Sequence, residues 1–528
     1  MLGELVMEKK KVVIIGAGPA GISAAYELSK NEKYEIIVLE AQNQIGGISK
    51  TVNFDGNLVD TGIHRFFSKD DRINNIWKEF LPIQGKNSYD DIILQNNTKN
   101  LEQNGPDPET QENVLLIRDR ITRIYYNKKF LDYPVSLNWT TIKNLGLGKM
   151  FIAGMSYLKS CIFKKKEDSL ENFYINRFGK VLYSMFFEDY TEKVWGIHPS
   201  KISADWGSQR VKGVSIRKII VEVFKKMFKI KDKEVETSLI ESFYYPKLGA
   251  GQIWDVMAEF VEKNGGKIMK NTLVQKLIVG KNKKINTVEI NENGNVKKID
   301  ADIVISSMPI KDLINNIENE EVPEDVKIIA EGLPYREFMS VAILTKKLNL
   351  KNTTNVKTIN DVIPDSWVYI QEPEVKMGRL QVFNNWSPYI FENKDDIKDK
   401  VLLTLEYFCS EGDDFWNMSE KEFIDFAISE GEKINLFEKN DIIKSKQIKI
   451  KKAYPAYFGT YYNIDKVIEF LNSHENLYCI GRNGQHRYNN MDHSMLTGII
   501  AAQNIINGVN DKKEIWNVNT EKEYHEKK

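Results

Sequence analysis

The chain has 528 residues, which is enough for two or three domains. Its 74 Lys and Arg residues balance 74 Asp and Glu residues, and a net charge of zero argues against broad electrostatic binding of nucleic acid. The three cysteines have no CxxC spacing and no pair of the six histidines has metal-ligand spacing. These features predict a reducing compartment, no disulfide framework and no metal site.

The N-terminal residues lack the apolar core of a signal peptide, and no apolar run reaches the roughly 20 residues that span a bilayer. The richest run, residues 150–163, is too short and contains Lys159. We therefore expect no transmembrane segment and a soluble, cytoplasmic protein. Residues 216–231 form a basic amphipathic pattern that fits either a membrane surface or, more simply, a solvated helix packed on the core.

Residues 11–40 predict a βαβ unit that binds a dinucleotide. An apolar run over 12–15 predicts a buried parallel strand, followed by Gly-Ala-Gly-Pro-Ala-Gly, a helix over 22–30 and a second strand over 35–39. The three glycines permit a tight turn, close approach of a pyrophosphate and close packing of helix on strand. The helix N-terminus favours phosphate, and the acid after the second strand favours free ribose hydroxyls. The predicted cofactor-binding residues are Gly16, Gly18, Pro19, Ala20, Gly21 and Glu40.

The βαβ unit alone leaves FAD and NAD open, and the next residues favour FAD. A Gly46-Gly47 pair and an Asp60-x-Gly62 segment follow Glu40 in order. This order resembles the FAD-dependent superfamily of the flavin amine oxidases, protoporphyrinogen oxidase, phytoene desaturases and UDP-galactopyranose mutase. The resemblance implies FAD as cofactor, bound in part by Gly46, Gly47, Asp60 and Gly62. Many amine oxidases carry an arginine where this chain has Ile48, so that pyrophosphate contact is not expected here.

The resemblance also implies the fold class and the domain order. The class is α/β, with a Rossmann-type FAD-binding domain of the GR2 type and an inserted α+β substrate domain. Along the chain we expect FAD-binding parts over 9–82, 243–310 and 471–510, a polar insertion over 83–113, a mostly helical substrate-domain part over 114–242, the substrate-domain sheet over 311–470 and a charged tail over 511–528.

Residues 477–508 predict a strand, a loop and a helix from about His493, with an N-cap near residues 489–492. In the superfamily, the N-terminus of this helix faces the flavin edge where negative charge develops. The loop resembles the C-terminal signature of UDP-galactopyranose mutase. There the first arginine and the tyrosine bind the nucleotide-sugar diphosphate, which implies that role for Arg482 and Tyr488; a structural arginine is the alternative. His486 and Asn490 depart from the signature. The implied cofactor-binding residues of this segment are Gly481, Asn490 and Met491.

Four further positions carry roles that the resemblance implies. His64 matches a histidine beside the flavin, with a structural histidine as the alternative. The segment around Tyr190 and Trp195 is similar to one that holds uracil in the mutase, although a core tryptophan explains the pattern nearly as well. Arg210 matches an arginine that clamps the diphosphate. Val274 lies on a strand whose backbone meets the adenine.

Two functions from different classes remain open. The first is an FAD-dependent oxidoreductase that transfers hydride from substrate to flavin N5, with a nucleotide-linked sugar as one candidate substrate. The second is a mutase that uses reduced FAD to isomerise a UDP-sugar without net redox change. The candidate catalytic residues are His64, Arg482 and Tyr488, and the candidate substrate-binding residues are Tyr190, Trp195, Arg210, Arg482 and Tyr488. We expect a small-molecule substrate and no nucleic-acid partner, and a homodimer is compatible with the sequence.

Overall fold

The computed structural model describes residues 9–96, 98, 100–133, 146–204 and 242–519, and every structural statement below refers to these residues. Arg210 and the basic pattern over 216–231 lie outside them. No helix in these ranges is long and apolar enough to cross a bilayer.

Twenty strands form the sheets. In chain order they are β1 (Lys10–Ile15), β2 (Tyr34–Leu39), β3 (Thr51–Phe54), β4 (Asn57–Asp60), β5 (Leu115–Asp119), β6 (Thr122–Tyr126), β7 (Lys129–Asp132), β8 (Ser242–Pro246), β9 (Lys267–Met269), β10 (Thr272–Val279), β11 (Ile285–Glu292), β12 (Asn295–Asp300), β13 (Ile303–Ser306), β14 (Ile317–Glu318), β15 (Tyr335–Thr345), β16 (Trp367–Ile370), β17 (Arg379–Val382), β18 (Val401–Cys409), β19 (Ile442–Pro455) and β20 (Leu477–Cys479).

Fifteen α-helices are described. In chain order they are α1 (Pro19–Ser29), α2 (Asp71–Phe80), α3 (Tyr89–Leu94), α4 (Leu147–Ile162), α5 (Leu170–Tyr183), α6 (Asp189–Trp195), α7 (Gln252–Lys263), α8 (Ile310–Asn315), α9 (Glu324–Glu331), α10 (Asp414–Asn417), α11 (Glu420–Lys433), α12 (Ile464–Asn472), α13 (Gly481–Gly484), α14 (Met491–Asn507) and α15 (Lys513–Asn517).

A five-stranded parallel sheet, in the order β20-β13-β1-β2-β9, organises the first lobe. Its central strand β1 is apolar throughout its buried part because both faces are covered: Val12 packs with α1, α7 and α14, and Val13 packs against the other face. That other face is covered by a second sheet, β12-β11-β10-β14, and by α8, α9 and α12. The predicted α/β fold class is confirmed.

The first three elements, β1, α1 and β2, follow the predicted βαβ unit to within three residues at each end. Helix α1 begins at Pro19, which lacks a backbone N–H and is suited to the first helical turn. Helix α14 crosses α1 so closely that a Cβ on Gly498 would lie 2.1 Å from the carbonyl oxygen of Ala20. The last long helix is therefore packed against the start of the first.

A seven-stranded mixed sheet, in the order β19-β15-β18-β17-β16-β6-β7, organises the second lobe. Strand β6 pairs parallel with β16, with Thr122 opposite Trp367, and β7 returns antiparallel through a turn at Asn127 and Lys128. The range 114–242, expected to be mostly helical, thus also contributes two strands to this sheet, and the aromatic runs on either side of Asn127 and Lys128 indicate this hairpin in the sequence. The pairing of β6 with β16 across more than 200 residues leaves no signal in the local sequence.

The polar stretch expected as a surface insertion is partly buried. Helix α3 lies within it, and Asp90 and Asp91 are 8% exposed because Arg118 on β5 lies against them. The Arg118 guanidinium donates to Asp90 at 2.9 Å. Removal of one member of a buried ion pair leaves an unpaired charge inside the protein, which is strongly destabilising. The burial of the two acids therefore requires Arg118, and the burial of Arg118 requires the acids.

Two boundaries also differ from the expectation. Helices α8, α9 and α12, which lie within or at the edge of the predicted substrate-domain range 311–470, pack on the first-lobe sheet. The expected charged tail contains α15, whose Ile515 and Trp516 are buried against the first lobe. Apolar side chains at those positions, and not the surrounding charges, decide where the chain packs.

Candidate functional site

A cavity of about 530 Å³ lies between the carboxyl ends of the first-lobe strands and the second-lobe sheet. It is lined by residues that range from Gly16 to Ser494 along the chain. The crevice beyond the carboxyl ends of a parallel sheet is where such folds bind ligands. The predicted site residues that line it are Gly16, Gly18, Pro19, Ala20, Glu40, Gly47, Gly62, His64, Gly481, Arg482, Tyr488, Asn490 and Met491.

The turn between β1 and α1 has the shape that a pyrophosphate requires. Gly16 has φ +96°, and a Cβ there would lie 2.1 Å from the Ser307 hydroxyl oxygen. Gly18 and Gly47 face each other, and a Cβ on Gly47 would lie 3.2 Å from the Gly18 Cα. No side chain caps the N-terminus of α1. The bare glycine backbone and uncapped N–H groups therefore leave room and donors for phosphate.

The Glu40 carboxylate is fixed at the end of β2. One oxygen accepts a hydrogen bond from the Ala17 N–H and the other accepts one from the Gln42 N–H, both at 2.9 Å. These bonds tie the acid to the glycine turn and leave lone pairs on both oxygens, so the residue fits a dinucleotide ribose. Together with the turn, it makes a donor and acceptor set that fits FAD.

Helix α14 presents its N-terminus to the cavity, where Asn490, Met491 and Asp492 line the wall. The Asn490 N–H donates to Nδ1 of His493 at 3.3 Å. Asp492 is buried, and this burial raises the pKa of its carboxyl. A helix N-terminus stabilises negative charge on a ligand placed beyond it.

Arg482 is bonded to the protein backbone on two sides. Its Nε donates to the Ala453 carbonyl at 2.7 Å and its Nη1 to the Asn489 carbonyl at 2.9 Å. The guanidinium carbon lies 4.1 Å from the ring centre of Tyr488 and 5.1 Å from that of Tyr454. The arginine thus connects β19 to the loop before α14, and only the remaining N–H groups are left for a ligand.

His64 lies in the cavity wall beside two arginines. Burial, together with the charges of Arg482 and Arg379, lowers the pKa of its imidazole to about 3. Its Nδ1 is buried without a partner among the described residues. At neutral pH the side chain is therefore an uncharged imidazole in the cavity wall with one buried hydrogen-bonding atom still unused.

Several predicted residues lie elsewhere. Asp60 is 1% exposed and does not line the cavity: it accepts hydrogen bonds from the Thr51 hydroxyl at 2.6 Å and the Tyr245 hydroxyl at 2.7 Å, and burial raises its pKa to about 6. It connects the β3–β4 hairpin to β8. Gly46 supplies a left-handed turn, and its N–H donates to the Ala17 carbonyl. A Cβ on Gly21 would lie 1.9 Å from the Gly16 carbonyl oxygen, so this glycine serves helix packing.

The remaining three described positions are also outside the cavity wall. Val274 is buried in β10, and its carbonyl accepts a hydrogen bond from the Asn316 amide at 3.3 Å. Trp195 is 4% exposed in an aromatic core with Phe173. Tyr190 stands edge-on to Tyr369 with ring centres 5.6 Å apart, one layer behind the wall that Tyr369 lines.

Sequence reasoning missed the second-lobe wall. Arg379 on β17 lines the cavity, its Nε donates to the Glu406 carboxylate at 2.5 Å and its Nη2 donates to the Tyr454 hydroxyl at 3.0 Å. Glu406 is fully buried in β18. A glutamate within the apolar run Val401–Cys409 was the available signal, because a buried acid needs a cationic partner. Arg120 and Tyr369 complete this wall.

The fold and the cavity together define an FAD-dependent enzyme with a Rossmann-type cofactor domain. The chain belongs to the family of flavin containing amine oxidoreductases, whose model matches residues 19–506. FAD is therefore its cofactor.

Three relatives show how broad this similarity is. The crystal structure of reduced UDP-galactopyranose mutase matches with TM-score 0.74 and 20% identity, over 98% of this chain and 100% of that one. A protein assigned as a protoporphyrinogen oxidase, from Exiguobacterium sp. 255-15, matches with TM-score 0.62 and 14% identity, over 96% and 99%. At such identities both establish the fold alone. Lysine-specific histone demethylase 1 of Caenorhabditis elegans is 46% identical over 59 residues, which are 11% of this chain and 8% of that protein.

Proposed function

We propose that the protein is an FAD-dependent oxidoreductase that removes hydride from an anionic substrate, with a nucleotide-linked sugar as the substrate class. The observation that carries this proposal is the charge of the cavity wall. Arg65, Arg120, Arg379 and Arg482 line it, whereas its carboxylates among the described residues are Glu40 and Asp492.

The acids and the arginines lie in different parts of the cavity, which suggests separate positions for cofactor and substrate. Glu40 lies at the ribose position and Asp492 at the start of α14, so both acids are at the cofactor end. The opposite wall offers guanidinium groups, which bind phosphate and repel the ammonium groups of polyamines or lysine side chains. The aromatic rings of Tyr369, Tyr454 and Tyr488 supply flat faces for a sugar or base.

No side-chain nucleophile is required for this reaction. FAD, when bound, supplies the hydride acceptor. The chain's own residues bind and orient: α14 presents its N-terminus to the cavity, where it would stabilise negative charge on bound FAD, and neutral His64 offers a hydrogen bond without adding positive charge. The Glu406–Arg379–Tyr454 chain holds one guanidinium toward the substrate end.

The test is a ligand screen that uses the flavin absorbance of purified holoenzyme. UDP, UDP-galactose and other nucleotide sugars should perturb the spectrum, and spermidine at equal concentration should not. Arg379→Lys, which cannot reproduce a two-point guanidinium contact, should weaken the response by about 2 kcal/mol, or roughly thirtyfold. Arg72→Lys, a half-exposed surface arginine, is the matched control and should respond as wild type. A response to polyamines alone would contradict the proposal.

The mutase is the second candidate, and the resemblance of residues 481–492 to the mutase signature favours it. The two candidates share a substrate class but differ in electron flow. Under anaerobic conditions an oxidoreductase substrate bleaches the flavin in proportion to product. A mutase instead converts its UDP-sugar only after dithionite reduction and leaves the flavin spectrum unchanged at the end. Anaerobic titration followed by chromatography of the sugar products distinguishes them.

A further inference from the structure

Helix α4 exposes its large apolar side chains to solvent. Phe151, Met155, Leu158 and Ile162 recur at intervals of four, three and four residues, so they form one stripe along the helix. Phe151 and Ile162 are each 72% exposed, and Met155 and Leu158 are more than half exposed. A stripe of this kind normally faces a protein core, and its exposure on a described surface indicates a binding face.

The opposite face of α4 is the one that packs on the protein. It contains Ala153, which is buried, Ser156, whose hydroxyl accepts a hydrogen bond from the Val181 N–H at 3.2 Å, and Tyr157, which packs on the aromatic core around Phe173. The contact is close, since a Cβ on Gly179 of α5 would lie 2.7 Å from the Tyr157 nitrogen. The helix therefore packs on α5 through this face, and the apolar stripe on the other face stays exposed.

Positive charge surrounds the stripe. Lys159 lies on α4 beside the stripe, and Lys164, Lys165 and Lys166 follow the helix; all four are exposed, and none forms an ion pair with a described residue. The two acids that follow these lysines interact with residues of α5. Glu167 forms an ion pair with Arg177 at 2.8 Å, and Asp168 accepts a hydrogen bond from the Asn172 amide at 2.9 Å. The local charge around the stripe is thus basic although the whole chain is neutral.

We propose that α4 docks the protein on the surface of an anionic lipid bilayer, with the stripe buried among the acyl-chain ends and the lysines at the headgroups. An exposed helix with an apolar stripe and lysines beside it suits such an interface. A second copy of this chain is the other occupant that such a stripe could take, and the oligomeric state measured below tests for it. This inference is independent of the substrate and goes beyond the proposed function.

The test is co-sedimentation of the holoenzyme with lipid vesicles. Wild type should bind vesicles that contain phosphatidylglycerol, should bind pure phosphatidylcholine vesicles much less, and should be released by high salt. Phe151→Ser/Ile162→Ser should weaken binding by at least about tenfold. Because both side chains are exposed, FAD content and melting temperature should stay at wild-type values. Val296→Ser/Ile328→Ser, which changes two exposed apolar residues on other elements, is the matched control and should bind as wild type.

Cys161 provides a second readout on the same helix. It is exposed, while Cys409 and Cys479 are buried, so a polar maleimide should label this one thiol. Anionic vesicles should slow that labelling several-fold in wild type and leave it unchanged in Phe151→Ser/Ile162→Ser. The proposal is overturned if wild type does not bind anionic vesicles, if the double variant binds as well as wild type, or if the stripe proves to join two copies of the chain, so that the substitutions convert dimer to monomer in light scattering.

Discussion

At the scale of single residues, the most informative side chain is Arg482, because two roles compete for it. A diphosphate clamp needs a guanidinium free to present two parallel N–H bonds. In the structure, Nε and Nη1 donate hydrogen bonds to the carbonyls of Ala453 and Asn489, and the guanidinium group lies over the ring of Tyr488. Arg482 lines the cavity, so its remaining N–H groups can still contact a ligand. Its two backbone hydrogen bonds nevertheless indicate that its main role is to hold the loop in place.

Arg482→Lys should therefore destabilise the protein by about 1–3 kcal/mol, since lysine replaces two backbone hydrogen bonds with at most one. Thermal unfolding of holoenzyme should show a lower melting temperature, with FAD released earlier. Arg72→Lys is the control on the surface. If the variant instead melts as wild type and loses only its response to nucleotide sugars, the clamp role is the correct one.

His486 gives a prediction about pH. Its side chain is fully buried, its Nε2 meets the Ala456 carbonyl at 3.1 Å, and burial lowers its pKa to about 4. In the unfolded chain this imidazole takes up a proton near pH 6.5, whereas in the folded protein it does so only near pH 4. The free energy of unfolding should therefore fall as the pH drops from about 6.5 to 4, by up to ~1.4 kcal/mol per pH unit.

His486→Asn should flatten this part of the stability profile. Asparagine suits the left-handed backbone, φ 46°, at this position. Urea unfolding between pH 7 and 4.5 measures the slope, and the half-exposed His198→Asn is the control. An unchanged slope in His486→Asn would show that other groups cause the acid sensitivity.

At the scale of elements, the contact between α1 and α14 links the two ends of the cofactor site. The N-terminus of α1 is the phosphate-binding turn, and α14 presents its own N-terminus to the same cavity. Gly498 allows them to cross against the Ala20 carbonyl. The spacing of these helices therefore sets the width of the site.

Gly498→Ala should push the two helices apart. The new methyl group would meet a backbone oxygen that cannot move aside, and we expect a loss of about 2–4 kcal/mol together with weaker FAD retention. Gly154→Ala on α4 is the matched control, because a Cβ there has open space and alanine favours the helix. Melting curves and bound-FAD ratios measure both variants; similar values for the two would contradict this account of the crossing.

At the scale of the whole molecule, one cavity is built from segments almost 480 residues apart in the chain, and from both lobes. Polar groups that line it, such as Nδ1 of His64, lack partners among the described residues. Bound FAD would fill this cavity and offer partners to such groups, so we expect it to stabilise the fold.

Removal of FAD should lower the unfolding free energy, by roughly 3 kcal/mol relative to protein with FAD at a hundred times its dissociation constant. Calorimetry of apoprotein and of protein reconstituted with FAD measures the difference, with added FMN as the control ligand. The purified protein should be yellow and should release FAD on denaturation. Equal melting temperatures with and without FAD would contradict the proposed coupling.

The sequence by itself determined the cofactor domain. Glycine positions, a buried apolar strand and a terminal acid are local features, and they predicted Gly16, Gly18 and Glu40, which line the cavity, because these residues belong to one βαβ unit. Gly47 and the loop before α14 were predicted from the resemblance of short sequence motifs to the FAD-dependent superfamily. These are patterns in which neighbours in the chain are also neighbours in space.

Only the tertiary structure decided which second-lobe residues line the cavity and which face of α4 is exposed. The pairing of Arg379 with Glu406 joins separate strands, and the parallel contact of β6 with β16 brings distant segments into one sheet, so neither leaves a local pattern. Likewise, hydropathy identified an apolar run at residues 150–163 but could not say which side faces the protein. That depended on the contact with α5, where the Tyr157 backbone lies against Gly179 and the Ser156 hydroxyl accepts a hydrogen bond from the Val181 N–H.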